Sequence, residues 1–472
     1  MAFLDELKSL LGPYALTDPR QTQGYCTDER SRYHGKALAV ALPENHEQVQ
    51  AVLALAKRFS VPVVAQGGNT STVGGSVPCL EQPSLILSLK RMNKILRIDP
   101  VNDTIYAQAG VSLQALHEAA DSVDRLFPLT LGSQGSASLG GLLACNAGGT
   151  QVLRYGMMRD LTLGYRAVLA DARSINELSG LRKNNSGYDL RDLLIGSEGT
   201  LAIFTEAVIK LYPKPTHRRT LMLSLSRLKS VENVFSRFND TFHAQLTAFE
   251  LMGASTLNKL QEQLPQVRQP QIARTPWWVF LELSFFDQSQ VQETLLESVL
   301  AQLFEQDEIR DGVIAQSEQD CLDFWAVREM IPPAHKKGGG NVKHDISVPR
   351  SRLVDFIESV CQSLQKRYPW LEPSIFGHYG DGNLHFNMGV KPGLDPKIVF
   401  AHEADIHEYV YARVLEFDGS ISAEHGVGQL KREALLKAKD PVALELMGQI
   451  KKVFDPENRL NTHKVLPLKL LH

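Results

Sequence analysis

Two histidines in one short segment are the strongest candidates for chemistry in this sequence. The segment FGHYGDGNLHFNMG begins at Phe376 and holds His378 and His385 on either side of a Gly-Asp-Gly-Asn run. The flanking stretches SIFGHY and LHFNMGV predict two strands, and GDGN predicts the turn of a hairpin. A turn centred on Asp381 and Gly382 puts the two histidines opposite each other, with Cβ atoms ~4.5–5.5 Å apart on one face. A bulge in the turn would change this register.

The predicted face has the donors of a divalent metal site. The two-residue period of a strand places Asn383 and Asn387 on the same face as the histidines. Two imidazoles do not complete a site, and the next candidates are the adjacent Glu424 and His425 in GSISAEHGVGQLKRE. Two histidines, one glutamate and an open position form a known composition of catalytic zinc sites. The alternative is a structural pair of histidines, with Glu424 in an unrelated surface turn.

An arginine and a lysine are candidates for binding an anionic substrate. The stretch SEQDCLDFWAVREMIPPAHKK predicts a helix ended by Pro332 and Pro333, with Trp325 and Arg328 on one face. The stretch NVKHDISVP predicts a strand with Lys343 on its polar side. The alternative is an exposed helix arginine and a solvated strand face.

Three segments are rich in glycine and small polar residues. They are VVAQGGNTSTVGGSVP, LGSQGSASLGGLLACNAGGTQVLRYG and GYDLRDLLIGSEGTLAIFTEAVIKLYPKP. Glycine permits positive φ and close backbone approach, and successive bare N–H groups form a nest for an anion such as a pyrophosphate. None of the three is a GxGxxG that opens a helix in a βαβ unit, so a Rossmann site is not indicated. A single such loop could be only a turn, but three together favour a buried polyphosphate ligand.

The elements that must position these residues alternate between strands and helices. KALAVALP, VPVVAQGG, PSLILSL and TIYAQAG predict strands, and ENHEQVQAVLALAKRFS and SLQALHEAADSV predict helices, the second with Ser112 as N-cap. Pro213 and Pro215 in LYPKPTHRRT predict a domain boundary. Beyond it, TLMLSL and WWVFLELSFF predict strands, and LKSVENVFSRFN predicts a helix. The pattern predicts an α+β fold.

Composition excludes several classes of protein. The 472 residues predict two or three domains, and a net charge of −3 gives no footprint for nucleic acid. The five scattered cysteines form no CxxC pair and favour a reducing compartment. The N-terminal stretch MAFLDELKSLLGPY is not a signal peptide, and no apolar run reaches the ~18 residues of a membrane span. We therefore expect a cytoplasmic protein.

The motifs, taken in order, resemble a known family. The glycine-rich segments, over residues 35–215, are similar to the FAD-binding domain of the vanillyl-alcohol oxidase / para-cresol methylhydroxylase superfamily. GHYGDGNLHFN and SAEHGVGQLKRE resemble the C-terminal signatures of FAD-linked D-2-hydroxy acid dehydrogenases, which include D-lactate, D-2-hydroxyglutarate and glycolate enzymes. WAVRE and VKHDISVP match the substrate-binding segments of the D-2-hydroxyglutarate dehydrogenases, to which the resemblance is closest.

The resemblance implies a fold and a set of domains. The fold is α+β, with a two-subdomain FAD-binding domain over residues 1–215 and an α+β substrate or cap domain over residues 216–425. The cap domain is expected to hold an antiparallel sheet and the metal site. Residues 426–472 are expected to return to the FAD domain.

The resemblance also implies roles for individual residues. The residues expected to bind FAD are Gln66, Gly67, Gly68, Asn69, Thr70, Gly74, Gly75, Ser76, Pro128, Gly135, Ser136, Ser138, Gly141, Asn146, Gly149, Glu198, Gly199 and Ile203. Those expected to act on the substrate are the metal ligands His378, His385 and Glu424, the catalytic base His425, and the substrate-binding residues Arg328, Lys343 and Asn387. Some relatives carry a flavin-linked histidine where this chain has Asn69, so we expect FAD held without a covalent bond. Some carry a threonine at the position of Pro332 as a further carboxylate contact.

The implied reaction oxidises a D-2-hydroxy acid to a 2-oxo acid. His425 takes the hydroxyl proton, a divalent metal, expected to be zinc, lowers the pKa of the hydroxyl, and the C2 hydride passes to flavin N5. D-2-Hydroxyglutarate is the first expected substrate, D-malate another, and D-lactate or glycolate the alternatives. An electron-transfer flavoprotein or a quinone is the expected acceptor, and a homodimer is an open possibility.

Other readings of the residues stay open. The glycine loops could hold a nucleotide in a metal-dependent hydrolase or binding protein, or the enzyme could be an oxidase that uses O₂. A further histidine pair, His402 and His407, lies five residues apart without an HExxH motif. We expect these two side chains to be solvated.

Overall fold

The computed structural model describes residues 2–287 and 290–471 of the chain. The chain divides into two compact units. The first comprises Met1–Gly149, Tyr155–Lys214 and Glu424–His472, and the second comprises Thr150–Arg154 and Pro215–Ala423. The chain passes from the first unit to the main part of the second between residues 214 and 215, in the proline-containing stretch LYPKP.

A mostly parallel sheet opens the first unit. Its strands are β1 (Ala15–Leu16), β2 (Ala37–Ala41), β3 (Val63–Gln66) and β4 (Ser84–Ser88), in the order β1-β2-β4-β3. Strands β2 and β3 pair parallel with β4, while β1 pairs antiparallel with β2. Helices α1 (Ala2–Leu11), α2 (Pro19–Thr22) and α3 (His46–Arg58) accompany it. Helix α3 begins where the Asn45 side chain accepts from the backbone N–H of Gln48, and it buries an apolar stripe at helical spacing.

An antiparallel sheet follows in the same unit. Its strands are β5 (Ile95–Asp99), β6 (Thr104–Gln108), β8 (Thr162–Leu169), β9 (Ser174–Glu177) and β10 (Ala202–Lys210), in the order β5-β6-β10-β8-β9, and β7 (Arg125–Leu126) pairs separately with β11 (Tyr212–Pro213). The helices are α4 (Leu113–Asp121), α5 (Leu139–Cys145), α6 (Val152–Tyr155, which spans the boundary at residue 154), α7 (Met158–Leu161) and α8 (Leu190–Leu194). The Ser112 side chain accepts from the backbone N–H of Ala115, so the predicted N-cap of α4 is confirmed.

The second unit is built on one antiparallel sheet in the described residues. Its strands are β12 (His217–Leu225), β13 (Leu246–Gly253), β14 (Trp277–Phe285), β15 (Asp311–Ile314), β16 (Asp345–Ser347), β17 (Leu371–Gly377) and β18 (Asn383–Val390), in the order β15-β12-β14-β13-β17-β18-β16. Its helices are α9 (Ser230–Phe242), α10 (Ala254–Gln263), α11 (Gln290–Glu305), α12 (Glu318–Glu329), α13 (Ile331–Lys337), α14 (Leu353–Arg367) and α15 (Glu403–Glu416).

The predicted prolines separate two helices of this unit. Helix α12 ends before Pro332 and Pro333, which occupy the first turn of α13. A proline in the first turn costs no hydrogen bond, because the N–H groups there have no helical partner. The sheet face that meets these helices is apolar and includes Met252, Trp278 and Phe376.

Two further helices belong to the C-terminal part of the first unit. They are α16 (Arg432–Ala438) and α17 (Pro441–Phe454), and the chain after them is largely irregular. The segment after α17 joins the parallel sheet through a bridge between Val63 and Leu460. Among the described residues, no helix combines the length and apolarity needed to cross a bilayer.

Candidate active site

The first two glycine-rich segments pack backbone against backbone in the first unit. A Cβ on Gly68 would lie 1.7 Å from the carbonyl oxygen of Ser136, and a Cβ on Gly67 would lie 2.1 Å from Oγ of Ser138. Only glycine permits this approach. Within the described residues, Oγ of Ser138 is buried without a hydrogen-bond partner. A close-packed glycine cradle with an unpaired hydroxyl fits a polar ligand such as a dinucleotide phosphate.

Side-chain amides hold the first loop in shape. Asn69 has φ +56°, and its Nδ2 donates to the carbonyl of Thr27 at 2.8 Å. Oγ of Ser76 donates to Oδ1 of Asn69 at 2.7 Å. Nε2 of Gln66 donates to the carbonyls of Tyr25 and Ser76. These amides therefore fix the loop to itself and to the backbone of Tyr25 and Thr27.

The other predicted flavin contacts also lie in the first unit. In the first segment, Thr70, Gly74 and Gly75 continue the loop after β3. In the second, Pro128 and Gly135 lie between β7 and α5, Gly141 is in α5, Asn146 is the left-handed C-cap of α5 with φ +48°, and Gly149 follows this cap. In the third, Gly199 precedes β10 with φ +69°, and Ile203 is in β10. A Cβ on Gly149 would lie 2.1 Å from the carbonyl oxygen of Thr130, so this glycine also permits close approach.

The carboxylate of Glu198 binds the C-terminal segment of its own unit. It accepts from the backbone N–H groups of Val427 at 2.7 Å and Gly428 at 2.9 Å. Burial raises the pKa of Glu198, against the effect of these two hydrogen bonds. The sequence predicted a flavin contact here, and the structure shows that this side chain holds the loop that follows His425. His425 itself lies with Nε2 3.5 Å from Oε1 of Glu424.

The hairpin of the two histidines forms with a different register from the predicted one. Phe376 pairs with His385, and the backbone N–H of Asn383 donates to the carbonyl of His378 at 3.2 Å. The chain turns through a 3₁₀ segment, Tyr379–Asp381, rather than a two-residue turn. The predicted pairing of His378 directly opposite His385 was therefore wrong, because the observed register differs from it by two residues. Because the shift is an even number, both histidines stay on one face.

The two imidazoles remain close enough to share a ligand. Their ring centroids lie 5.7 Å apart. A tetrahedral ion with Zn–N bonds of ~2.0–2.1 Å would hold two ring centroids roughly 5 Å apart. The pair therefore fits a divalent metal, although Glu424 belongs to the other unit and its role stays a prediction.

A buried glutamate that the sequence analysis missed lies at the centre of this face. Glu250 on β13 has a fully buried side chain. Its Oε1 lies 2.5 Å from Nδ1 of His378, and its Oε2 accepts from Nε of Arg328 at 2.5 Å. Burial alone would raise the pKa of Glu250, but the charges of His378 and Arg328 outweigh it and lower this pKa to about 2. The signal in the sequence was a lone charged residue in the apolar strand LTAFELMG.

Arg328 is a buried cation and not an exposed one. The residue is 6% exposed, and its guanidinium lies 4.9 Å from the ring centroid of Phe376. In the part of the chain that the structure describes, only its Nε makes a hydrogen bond. The two terminal nitrogens can therefore bind a carboxylate with two parallel hydrogen bonds.

A histidine pair supports the strand that carries His385 and Asn387. The backbone N–H of His344 donates to Oδ1 of Asn387 at 3.2 Å, and Nδ1 of His344 lies 2.7 Å from the carbonyl of Phe386. Nδ1 of His407 lies 2.9 Å from Nε2 of His344. The prediction that His407 is solvated was therefore wrong, because it considered only the face of its own helix. Lys343, which precedes His344, is half-buried.

Comparisons with known proteins agree with this architecture. Residues 37–176 match the family model "FAD binding domain", and residues 214–465 match "FAD linked oxidases, C-terminal domain". The chain is 34% identical over 465 residues to a mitochondrial D-2-hydroxyglutarate dehydrogenase of Arabidopsis thaliana, covering 98% of this chain and 81% of the relative. It is 35% identical over 456 residues to the mitochondrial enzyme of that name from Rattus norvegicus (96% and 83% covered). It is 33% identical over 465 residues to that of Stutzerimonas stutzeri (98% of both chains).

Solved structures share the fold. A p-cresol methylhydroxylase with bound substrate matches with a TM-score of 0.77 at 16% identity, covering 99% of this chain and 97% of that one. An alkyldihydroxyacetonephosphate synthase matches with a TM-score of 0.74 at 17% identity, covering 98% and 84%. The predicted α+β fold with a flavin-binding domain of this superfamily is confirmed. The chain therefore belongs to the FAD-linked D-2-hydroxy acid dehydrogenases, a family of FAD-dependent oxidoreductases with the fold of the vanillyl-alcohol oxidase / para-cresol methylhydroxylase superfamily.

Proposed function

We propose that this chain is a metal-assisted dehydrogenase that oxidises D-2-hydroxyglutarate to its 2-oxo acid. The observation that carries the proposal is the match along nearly the whole chain to proteins named D-2-hydroxyglutarate dehydrogenases in a plant, a mammal and a bacterium. D-Malate is a second substrate of the same proposal, because it is also a D-2-hydroxy dicarboxylate. D-Lactate and glycolate are the monocarboxylate alternatives on the same scaffold.

The buried arginine supports a substrate with an anionic end. Nε of Arg328 donates to Glu250, and its two terminal nitrogens can donate to a substrate carboxylate. Lys343 adds a second cation two residues before β16. Two cations match a dicarboxylate better than a monocarboxylate. Pro332 offers neither a hydroxyl nor an N–H, so selectivity would depend on the arginine and the lysine.

The proton and the hydride of the substrate pass to different groups in this proposal. FAD, when bound, supplies the acceptor for the hydride from C2 of the substrate. His425 would take the hydroxyl proton as general base, and Asn387 would orient the carboxylate next to C2. A divalent ion held by His378, His385 and Glu424 would supply Lewis-acid polarisation of the hydroxyl oxygen.

The chain shortly before Glu424 is held in the second unit, next to the strand that pairs with His385, which supports the assignment of Glu424. The backbones of Ser347 and Ser420 exchange two hydrogen bonds of 3.1 and 2.8 Å within the second unit. Ser347 lies on β16, the strand whose Asp345 pairs with His385. Glu424 follows four residues after Ser420 in the sequence.

The flavin is proposed to be bound without a covalent link. The first loop has Asn69, whose amide is used in two hydrogen bonds within its own unit and offers no nucleophile. Acid precipitation of the purified yellow protein should leave the colour in the supernatant. Colour retained in the washed pellet would contradict this part of the proposal.

The experiment that tests the function is anaerobic bleaching of the bound flavin. A panel of D- and L-2-hydroxy acids would be mixed with the enzyme, once after chelation and once after zinc is restored. We expect the fastest loss of flavin absorbance near ~450 nm with D-2-hydroxyglutarate, little with L-isomers, and little with any acid after chelation. The variant His425→Ala should keep its flavin and lose bleaching.

Each component of the proposal has its own contradicting result. If D-lactate or glycolate bleaches the flavin fastest, that acid is the substrate in place of D-2-hydroxyglutarate, and the reaction type stays as proposed. Full bleaching of the chelated enzyme would contradict the role of the metal and leave the proposed substrate unaffected. Rapid turnover with O₂ alone as acceptor would make the enzyme an oxidase.

A further inference from the structure

A single carboxylate bridges two residues with different proposed roles. Glu250 bonds Nδ1 of His378 through Oε1 and Nε of Arg328 through Oε2, each at 2.5 Å, with its side chain fully buried. We propose that Glu250 is a positioning residue that orients the metal-binding imidazole and the substrate-binding guanidinium together. This inference rests on the proposed function, since it takes His378 as a metal ligand and Arg328 as a carboxylate anchor.

The bond to Oε1 decides which imidazole nitrogen faces a ligand. A carboxylate is an acceptor only, so Nδ1 of His378 must carry the proton that it donates to Glu250. Nε2 then keeps its lone pair and becomes the metal ligand. A metal-ligating histidine typically donates its other N–H to a carboxylate or carbonyl, which fixes the ring and raises its basicity.

The bond to Oε2 decides how the guanidinium is presented. With Nε held by Glu250, the plane of Arg328 is fixed and its two terminal nitrogens point away from that bond. The contact with the ring of Phe376, 4.9 Å from the guanidinium, restricts the plane from another side. The ligand-binding ends of the histidine and the arginine are thus set by opposite oxygens of one group.

An amide cannot replace this carboxylate. Glutamine has one acceptor oxygen and one NH₂ donor, whereas both partners of Glu250 present N–H donors. In Glu250→Gln the NH₂ must face either His378 or Arg328. One of the two therefore loses its orienting bond or reverses its tautomer, although the side chain keeps its size and shape.

The neighbouring strand supplies a matched control. Glu282 on β14 is 2% exposed and accepts from Nε1 of Trp325, which lies on the same helix α12 as Arg328. Its side-chain hydrogen bonds go to Thr247 and Trp325, and neither is a metal-ligand candidate. Glu282→Gln removes a buried charge from the same sheet and leaves His378 and Arg328 as they are.

The experiment measures zinc binding apart from turnover. Chelated wild type, E250Q, E282Q and His378→Ala would compete with a chromophoric chelator for zinc, with flavin content and thermal midpoint recorded alongside. We expect wild type to bind one zinc that the His378→Ala protein lacks, and E250Q to bind it ~10–100-fold more weakly. E282Q should match wild type. The KM for D-2-hydroxyglutarate should rise in E250Q and not in E282Q.

The outcomes separate this inference from the function on which it rests. If wild type binds zinc through His378 and folded E250Q binds it equally well, the role of Glu250 is overturned while the metal site stands. If wild type and His378→Ala do not differ in zinc binding, the metal site falls and the inference falls with it.

A measurement on wild type decides the case in which E250Q does not fold. In protein labelled with ¹⁵N-histidine, the His378 resonances are identified by their loss in His378→Ala. Zinc should shift Nε2 strongly, while Nδ1 keeps its proton. A zinc-induced loss of the proton from Nδ1 would overturn the proposal.

Discussion

Two buried glutamates, one in each unit, are held in opposite ways. The carboxylate of Glu198 accepts from two backbone N–H groups of its own unit, at 2.7 and 2.9 Å. The carboxylate of Glu250 accepts from the side chains of His378 and Arg328, both at 2.5 Å. A backbone N–H carries only a partial charge, whereas a guanidinium carries a full one.

The pKa values of the two carboxylates shift in opposite directions. Burial raises the pKa of Glu198, and the backbone groups and nearby lysines only partly offset it. The interactions of Glu250 with His378 and Arg328 lower its pKa to about 2 in spite of complete burial. Glu198 therefore holds its proton to a higher pH than a free glutamate does, whereas Glu250 stays ionised where an ion and an anionic substrate are proposed to bind. An ionised carboxylate offers acceptor oxygens only, and a carboxylate is one of the usual partners of the second N–H of a metal-ligating histidine.

The largest effect on stability is expected when each carboxylate is removed in turn. Glu250→Ala leaves the Arg328 charge buried without its partner and should destabilise the second unit by about 3–5 kcal/mol. Glu198→Ala leaves two backbone donors of the first unit unpaired, at about 1–3 kcal/mol for each donor, but it leaves no buried guanidinium without its partner. Urea unfolding followed by tryptophan fluorescence reports the second unit, because Trp277, Trp278, Trp325 and Trp370 all lie there, and flavin release reports the first.

The double substitution Glu250→Ala with Arg328→Met is the control. It removes both charges and should recover much of the loss, because an uncompensated charge is the main cost. A loss in the Glu250→Ala protein that the double substitution does not recover would contradict the role of charge in this distinction.

A smaller effect is expected from the arginine alone. Arg328→Ala should raise the KM for D-2-hydroxyglutarate about 10–100-fold, because a hydrogen bond to a charged group contributes about 1.5–3 kcal/mol. Arg328→Lys should recover only part of this, since an ammonium cannot bond Glu250 and a carboxylate with the same planar fork. Steady-state kinetics with a dye acceptor measures both variants. An unchanged KM in Arg328→Ala would remove the arginine from the substrate site.

The sequence predicts local structure well and side-chain partnership poorly. The N-cap Ser112 and the end of a helix before Pro332 were predicted correctly, because both depend on neighbours within a few residues, but the new helix that begins at the prolines was not predicted. The hairpin register was wrong by two, because the 3₁₀ turn at Tyr379–Asp381 depends on the fold around it. The prediction that His378 and His385 share one face stayed correct only because the register shift was an even number of residues.

The centre of the candidate site was beyond sequence reasoning for a physical reason. Glu250 lies 128 residues before His378 and meets it through the pairing of β13 with β17, which no local pattern encodes. His407 meets His344 across 63 residues in the same way. The flavin residues were available from the sequence only through resemblance, since glycine loops bind through the backbone. Their contacts, and those of Glu424 and His425, stay predictions.

The smallest test concerns the lysine that faces Glu198. Burial lowers the pKa of Lys464 to about 7, and among the described residues its Nζ has no hydrogen-bond partner. In the unfolded chain the same lysine titrates near ~10.4, so between these values the unfolded state binds more protons than the folded state. Stability of the first unit should therefore rise as the pH increases from about 7 towards ~10.4. Lys464→Met should flatten this rise and stabilise the unit at pH values below it.

Lys451 provides the contrast within the same unit. Burial also lowers its pKa, but its Nζ donates to Asp455 at 2.6 Å and to the carbonyls of Thr200 and Leu460. Lys451→Met should destabilise at every pH, because it leaves the buried Asp455 without its cation. The midpoint of flavin release on heating, recorded across pH, measures both variants. If Lys464→Met destabilises the unit as Lys451→Met does, the ammonium of Lys464 is paired in solution, as that of Lys451 is with Asp455, and its burial does not destabilise the unit.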